Sequence, residues 1–177
     1  MKTARLPLAA AATAALLSAC APVYGPPPPP PGPPPAADFR AQDFAWSTRP
    51  GTGRVDGRLA YRQGQTRYTC AGAAVLLTPE TPWSRRRMTI LYNSPERAAL
   101  PTAEVRARTP SAPSGDYSAF VRRTTCGSDD RFTFTGLPNG PWFVITVARP
   151  AGGAAGTEIA IMRRIEIRGG RPVVVDL

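Results

Sequence analysis

Arg131–Val147 reads RFTFTGLPNGPWFVITV, and the fold turns on how it is read. Phe132 and Phe134 alternate with Arg131, Thr133 and Thr135, the period of two that marks a strand with one buried face. Gly136, Pro138, Asn139, Gly140 and Pro141 then crowd together, the residue types that supply the positive or fixed φ angles of a tight corner. Trp142–Val147 is apolar on both faces, as expected of a central strand covered from two sides. Strand, corner and strand specify a β architecture and name no chemistry.

Working outward, the same alternation recurs. Arg54–Arg62 places Val55, Leu59 and Tyr61 on one face and Arg54, Asp56, Arg58 and Arg62 on the other. Gly72–Thr78 is a short apolar strand, and Tyr117–Thr125 is a further strand. In Glu158–Arg168, Ile159, Ile161, Ile165 and Ile167 share a parity that Arg163 interrupts, which predicts a bulge there. Gly169-Gly170 signals a hairpin turn into Val173–Leu177, whose apolar character predicts a C-terminus paired in a sheet. Seven short strands joined by tight turns are the pattern of a Greek-key β-sandwich, a mostly β domain over residues 38–177. Its first residues carry Phe39, Phe44 and Trp46, spaced as an extended flap or short turn that tucks against the domain.

Residues 79–115 interrupt this pattern as a helical insertion. Thr81-Pro82 reads as an N-cap followed by proline at the first helical position, opening a helix through Asn93. Pro95-Glu96 opens a second helical turn through Leu100, and Arg106, Arg108 and the Pro110–Gly115 stretch read as loop or edge. Arg85, Arg86 and Arg87 form the densest basic cluster of the chain. They read either as a patch for an anionic lipid or polymer or as a solvated helix face.

The N-terminal 37 residues do not belong to the domain. Lys2 and Arg5 precede the apolar run Leu6–Leu17, which has the length of a signal-peptide core and not of a membrane-spanning helix. Leu17-Ser18-Ala19-Cys20 follows and resembles the bacterial lipobox. That resemblance implies a signal peptide over residues 1–19, acylation of Cys20 with diacylglycerol and palmitate, and a lipid anchor in the membrane. Ala21 after the cysteine implies onward sorting to the outer membrane, with the domain facing the periplasm. Residues 20–37 hold the runs Pro26–Pro31 and Pro33–Pro35, which favour an extended polyproline rod and read as a stalk.

With Cys20 acylated, Cys70 and Cys126 remain as a pair in an oxidising compartment, and they read as a structural disulfide. The chain has no histidine and no CxxC spacing, so neither a zinc site nor another cofactor is expected. The 22 basic residues less Lys2 and Arg5 leave 20 against 12 acidic, a net charge of +8, all its cations arginine. For an exported lipoprotein that charge points to lipid, polysaccharide or plain solvation and not to nucleic acid.

Three stretches together carry a family resemblance: Gly53-Arg54-Val55, Gly72-Ala73-Ala74-Val75 and Arg131–Trp142. They resemble the carboxypeptidase regulatory-like, transthyretin-like family, with its runs G-x-V, G-A-x-V and F-x-F-x-x-L-P-x-G-x-Y. The resemblance implies a seven-stranded prealbumin-type sandwich and an accessory module with binding, folding or surface roles, without peptidase activity. Two departures stand out. Asp130-Arg131 occupies a position where the family often has glycine, although Asp tolerates the left-handed conformation, and the 79–115 insertion is long. No serine sits in a nucleophile elbow, and Asp129-Asp130 fall in a turn, so no catalytic residue is expected and a cryptic hydrolase is the weakest alternative. The expectation is a non-catalytic envelope lipoprotein that binds a partner protein or a cell-envelope glycan. The alternative is an electrostatic module that uses Arg85–Arg87 on a membrane surface or lipopolysaccharide.

Overall fold

A computed structural model describes residues 38–153 and 155–177; the expected signal peptide, Cys20 and the expected proline-rich stalk lie outside the described residues. In chain order, its strands are β1 (Gly53–Arg58), β2 (Arg62–Gln63), β3 (Thr66–Thr69), β4 (Ala74–Pro79), β5 (Arg97–Pro101), β6 (Arg122–Thr125), β7 (Arg131–Leu137), β8 (Gly140–Pro150), β9 (Ile159–Ile167) and β10 (Pro172–Asp176). Three α-helices accompany them: α1 (Ala41–Phe44), α2 (Pro82–Tyr92) and α3 (Thr102–Arg108). All seven strands expected from the alternation are present as β1, β4 and β6–β10, although β6 starts only at Arg122, after a 3-10 turn at Ser118–Phe120. The β2–β3 hairpin and β5 are additional.

The corner between Phe134 and Trp142 is a change of sheet. β7 pairs antiparallel with β1, which pairs parallel with β10, forming a three-stranded sheet. β8 instead runs through the middle of the larger sheet, between β4 and β9. β6 lies outside β4, β5 lies outside β9, and β3 with its partner β2 joins the last residues of β8. At the corner, Gly140 is forced by close approach as well as by its φ of 142°, since a Cβ there would lie 2.5 Å from the Trp46 ring.

β8 is covered from two sides, as its double-faced apolarity requires. On its inner face, Trp142, Val144 and Ala148 join Val55, Val75, Leu77, Phe132, Phe134, Leu137, Ile161, Ile165, Ile167 and Val175 between the sheets. On the outer face, Phe143 and Met162 pack with Met88, Leu91 and Tyr92 of α2. The helix therefore roofs the sheet. It begins where the sequence places it: Thr81 Oγ1 accepts from the Ser84 N–H at 3.1 Å, Ser84 Oγ accepts from the Thr81 N–H at 2.8 Å, and Pro82 follows the cap. Asn93, at φ 55°, ends it. The N-terminal flap is α1 with a 3-10 turn at Ala45–Thr48. Phe44 is wedged between Trp83 and Phe120, and Trp46 packs edge-on against Trp142.

Four local expectations are corrected. The stretch after Pro95 is strand β5 and not a helical turn: Ser94 Oγ accepts from the Glu96 and Arg97 N–H groups, and the chain then pairs with β9. The Arg106–Arg108 region is helical, in α3. β9 pairs with β8 in unbroken register from Ile159 to Ile167, so Arg163 causes no bulge. Gly169 and Gly170 do adopt positive φ (60° and 69°), but they lead β10 into the other sheet and close no hairpin. The last residues are paired as expected, with Leu177 N–H donating to Arg58 O and Ala60 N–H to Leu177 O.

Candidate functional site

The two sheets differ in width, and the difference makes a cleft. The smaller sheet ends at β10, whereas the larger one continues past β9 to β5. The inner face of β5 and β9 therefore extends beyond its lid. Ile161 and Ala99, which are cross-strand partners, form the floor. Tyr61 and Leu177 form a wall, and Arg97, Arg163 and Asp176 form the rim. The cleft encloses about 360 Å³.

Each rim residue is positioned by strand pairing. Arg97 lies directly opposite Arg163 in the β5–β9 ladder, so both side chains leave the same face of the sheet. Arg163 Nη1 donates to the backbone oxygen of Asp176 at 2.5 Å, tying the floor to the edge of the lid. The Asp176 carboxylate is held on the other side by Arg58, through Nε at 2.6 Å and Nη2 at 3.3 Å. That hydrogen bond, more than the nearby charges of Arg58 and Arg163, holds its carboxyl below the usual range. Tyr61 is half-buried, its ring edge-on to Tyr68 with centroids 5.2 Å apart. Tyr68 is fixed in turn by its hydroxyl, which donates to Gln63 Oε1 at 3.0 Å. An apolar floor, one aromatic wall and two guanidinium forks can receive the apolar face of a ring and hydrogen-bond its polar edge.

The residues singled out from the sequence lie elsewhere. Cys20 is outside the described residues. Cys70 and Cys126 form the expected disulfide, buried in the inner core. Asp130 lies beside them, near enough for three ligand atoms to share a metal, but joined sulfurs are not thiolates and cannot act as such ligands. Asp130 is a structural hub instead: it accepts from Thr69 Oγ1 (2.5 Å), Arg67 Nη2 (2.8 Å) and the Cys70 N–H (2.9 Å), at φ 62°.

Arg85, Arg86 and Arg87 do not share a face, because consecutive helical residues point about 100° apart. Arg85 is engaged by Glu80 at 2.6 Å and Glu96 at 2.9 Å. Arg87 folds over the Trp83 and Tyr117 rings, 5.7 Å from each centroid, and donates to Pro113 O. Arg86 alone of the three is exposed, beside a second and more polar cleft of about 390 Å³ that Asp38, Phe39 and Ser111 also line. The sequence did carry a signal for the first cleft. Arg163 stands on the buried parity of an isoleucine-rich strand; it marks where that parity loses its cover.

No family model matches the chain, and neither does any curated protein. Among solved structures, the chain is similar to the 2.61 Å crystal structure of a candidate carbohydrate-binding protein from Pseudomonas aeruginosa. The identity is 19% and the TM-score 0.53, over 80% of this chain and 99% of that one. The likeness is one of fold.

Proposed function

We propose that the protein is a non-catalytic, lipid-anchored envelope module, of the carboxypeptidase regulatory-like type, whose sandwich binds a cell-envelope glycan in the Tyr61–Arg97–Arg163 cleft. One observation carries the binding site: the uncovered inner face of β5 and β9, where an apolar floor meets an aromatic wall and polar forks. The fold shared with a candidate carbohydrate-binding protein supports the choice of glycan over protein. The anchor rests on the lipobox and on the apolar run before Cys20. The absence of catalysis rests on a chain without histidine, and on Asp130, a buried acid committed to structural hydrogen bonds.

Calorimetric titration of the detergent-solubilised lipoprotein with oligosaccharides cut from envelope polysaccharide and peptidoglycan tests the reading. Saturable binding that Tyr61→Ala abolishes is expected. Binding that survives Tyr61→Ala moves the site elsewhere, and a panel with no binder removes the glycan. Membrane anchoring is read separately, as movement of the protein from detergent-rich to aqueous phase on Cys20→Ser.

A further inference from the structure

Resting on the glycan reading above, we infer that the cleft selects saccharides that carry an acidic group, a carboxylate or a phosphate, and that Arg97 and Arg163 clamp that group. The first observation is the register: these two arginines are direct cross-strand partners on one face. Like charges placed directly opposite each other across a ladder destabilise it. The second is that neither forms an ion pair among the described residues. Arg163 spends one donor on a backbone oxygen, and the Arg97 side chain has no hydrogen-bond or ion-pair partner among the described residues. The third is what surrounds them. Asp176 supplies the only side-chain carboxylate of the lining, and Arg58 grips it from the solvent face of the smaller sheet.

Two guanidiniums thus stand over a floor with no polar side chain of its own, and the one side-chain carboxylate of the lining is already held by Arg58. An oxyanion between Arg97 and Arg163 would accept from both forks and offset their mutual repulsion. The sugar ring that carries it would lie on Ile161 and Ala99, against Tyr61. A neutral saccharide would meet the same floor and wall but leave the two cations unpaired.

The experiment titrates the solubilised, oxidised full chain with three probes: oligogalacturonate for carboxylate, a phosphorylated glucosamine disaccharide for phosphate, and maltohexaose as the neutral control. At least one acidic probe should bind about tenfold or more tightly than maltohexaose, the effect of a charge-assisted hydrogen bond. Its affinity should fall as salt rises from about 50 to about 500 mM, and it should drop about tenfold in Arg97→Ser. Arg97 is exposed and partnerless, so this variant keeps the fold; Arg163→Ser, which also unties Asp176, is the second. The acidic probe that wins identifies the anion. Equal binding of maltohexaose, indifferent to salt and to Arg97→Ser, overturns the acidic selectivity and leaves the glycan reading standing. No binding by any probe overturns both.

Discussion

Asp130→Ala should be the most damaging single polar substitution in the domain, and its cost can be worked from the contacts. The Asp130 side chain is 5% exposed and accepts from the Cys70 N–H, Thr69 Oγ1 and Arg67 Nη2. Alanine leaves the buried Cys70 N–H without an acceptor, about 1–3 kcal/mol. It also puts a side chain with no local hydrogen bond into a left-handed residue, about 1–2 kcal/mol more. The Arg67 ion pair adds little, because Arg67 is 60% exposed and solvent screens it. The total is about 2–5 kcal/mol, whereas Asp130→Asn, which keeps an acceptor and tolerates positive φ, should cost about 1 kcal/mol.

The pH dependence separates the charge from the hydrogen bonds. Burial pushes the Asp130 carboxyl up, but the hydrogen bonds from Thr69, Arg67 and the Cys70 N–H outweigh it and hold the group below its usual value. A depressed folded value means stability that is fully present above the unfolded value, near pH 4, and lost as pH falls through the folded one. Urea unfolding of the oxidised protein, followed by tryptophan fluorescence from pH 7 down to about pH 2, reads both effects. Asp130→Asn should flatten the acid limb. A loss of less than about 1 kcal/mol in Asp130→Ala at pH 7, with the acid limb unchanged in Asp130→Asn, would refute the hub assignment.

Two further outcomes follow from the fold. Replacing both Cys70 and Cys126 with alanine releases a loop closed across 56 residues and should lower stability by about 4 kcal/mol in the chain-entropy model; midpoints of chemical unfolding check it. Thr81→Ala removes one half of the reciprocal cap of α2 and should cost about 1 kcal/mol, with hydrogen exchange accelerating first at Trp83–Arg85.

The inner core was legible because its signal is periodic. Phe132 and Phe134, Val55 and Leu59, and the isoleucines of β9 each repeat at two, and all of them are buried. The N-cap at Thr81 was legible because capping is local chemistry. Strand pairing between distant segments is not local, and this is where expectation and structure part. Arg97–Pro101 carries two alanines and follows Pro95-Glu96, so local preference pointed to helix; the open edge of β9 made it a strand. Gly169-Gly170 has the conformation of a hairpin turn, but which sheet receives the next strand depends on the corner between β7 and β8 and on the parallel partner offered by β1. Of the cleft, only Arg163, a charge on the buried parity of β9, was marked in the sequence; its assembly was not, for the same reason. Tyr61, Arg97, Arg163 and Asp176 come from four separate segments, and only sheet width brings them together.

That width has a single source. Without β5, β9 would be the edge of the larger sheet on this side. The insertion adds β5 to this edge, and with it Ala99 beside Ile161 and Arg97 beside Arg163. It also supplies α2, which covers the opposite face of the same sheet through Met88, Leu91 and Tyr92. The helix buries apolar surface on the outside, and the strand extends the floor on the inside past the end of its lid. The insertion thus supplies Arg97 and Ala99 to the cleft, whereas Arg85 and Arg87 of its helix are engaged in ion pairs and ring packing. The corner at Pro138-Asn139 brings β8 into line with both, so the most regular part of the chain carries the frame and the interruption in it widens the cleft.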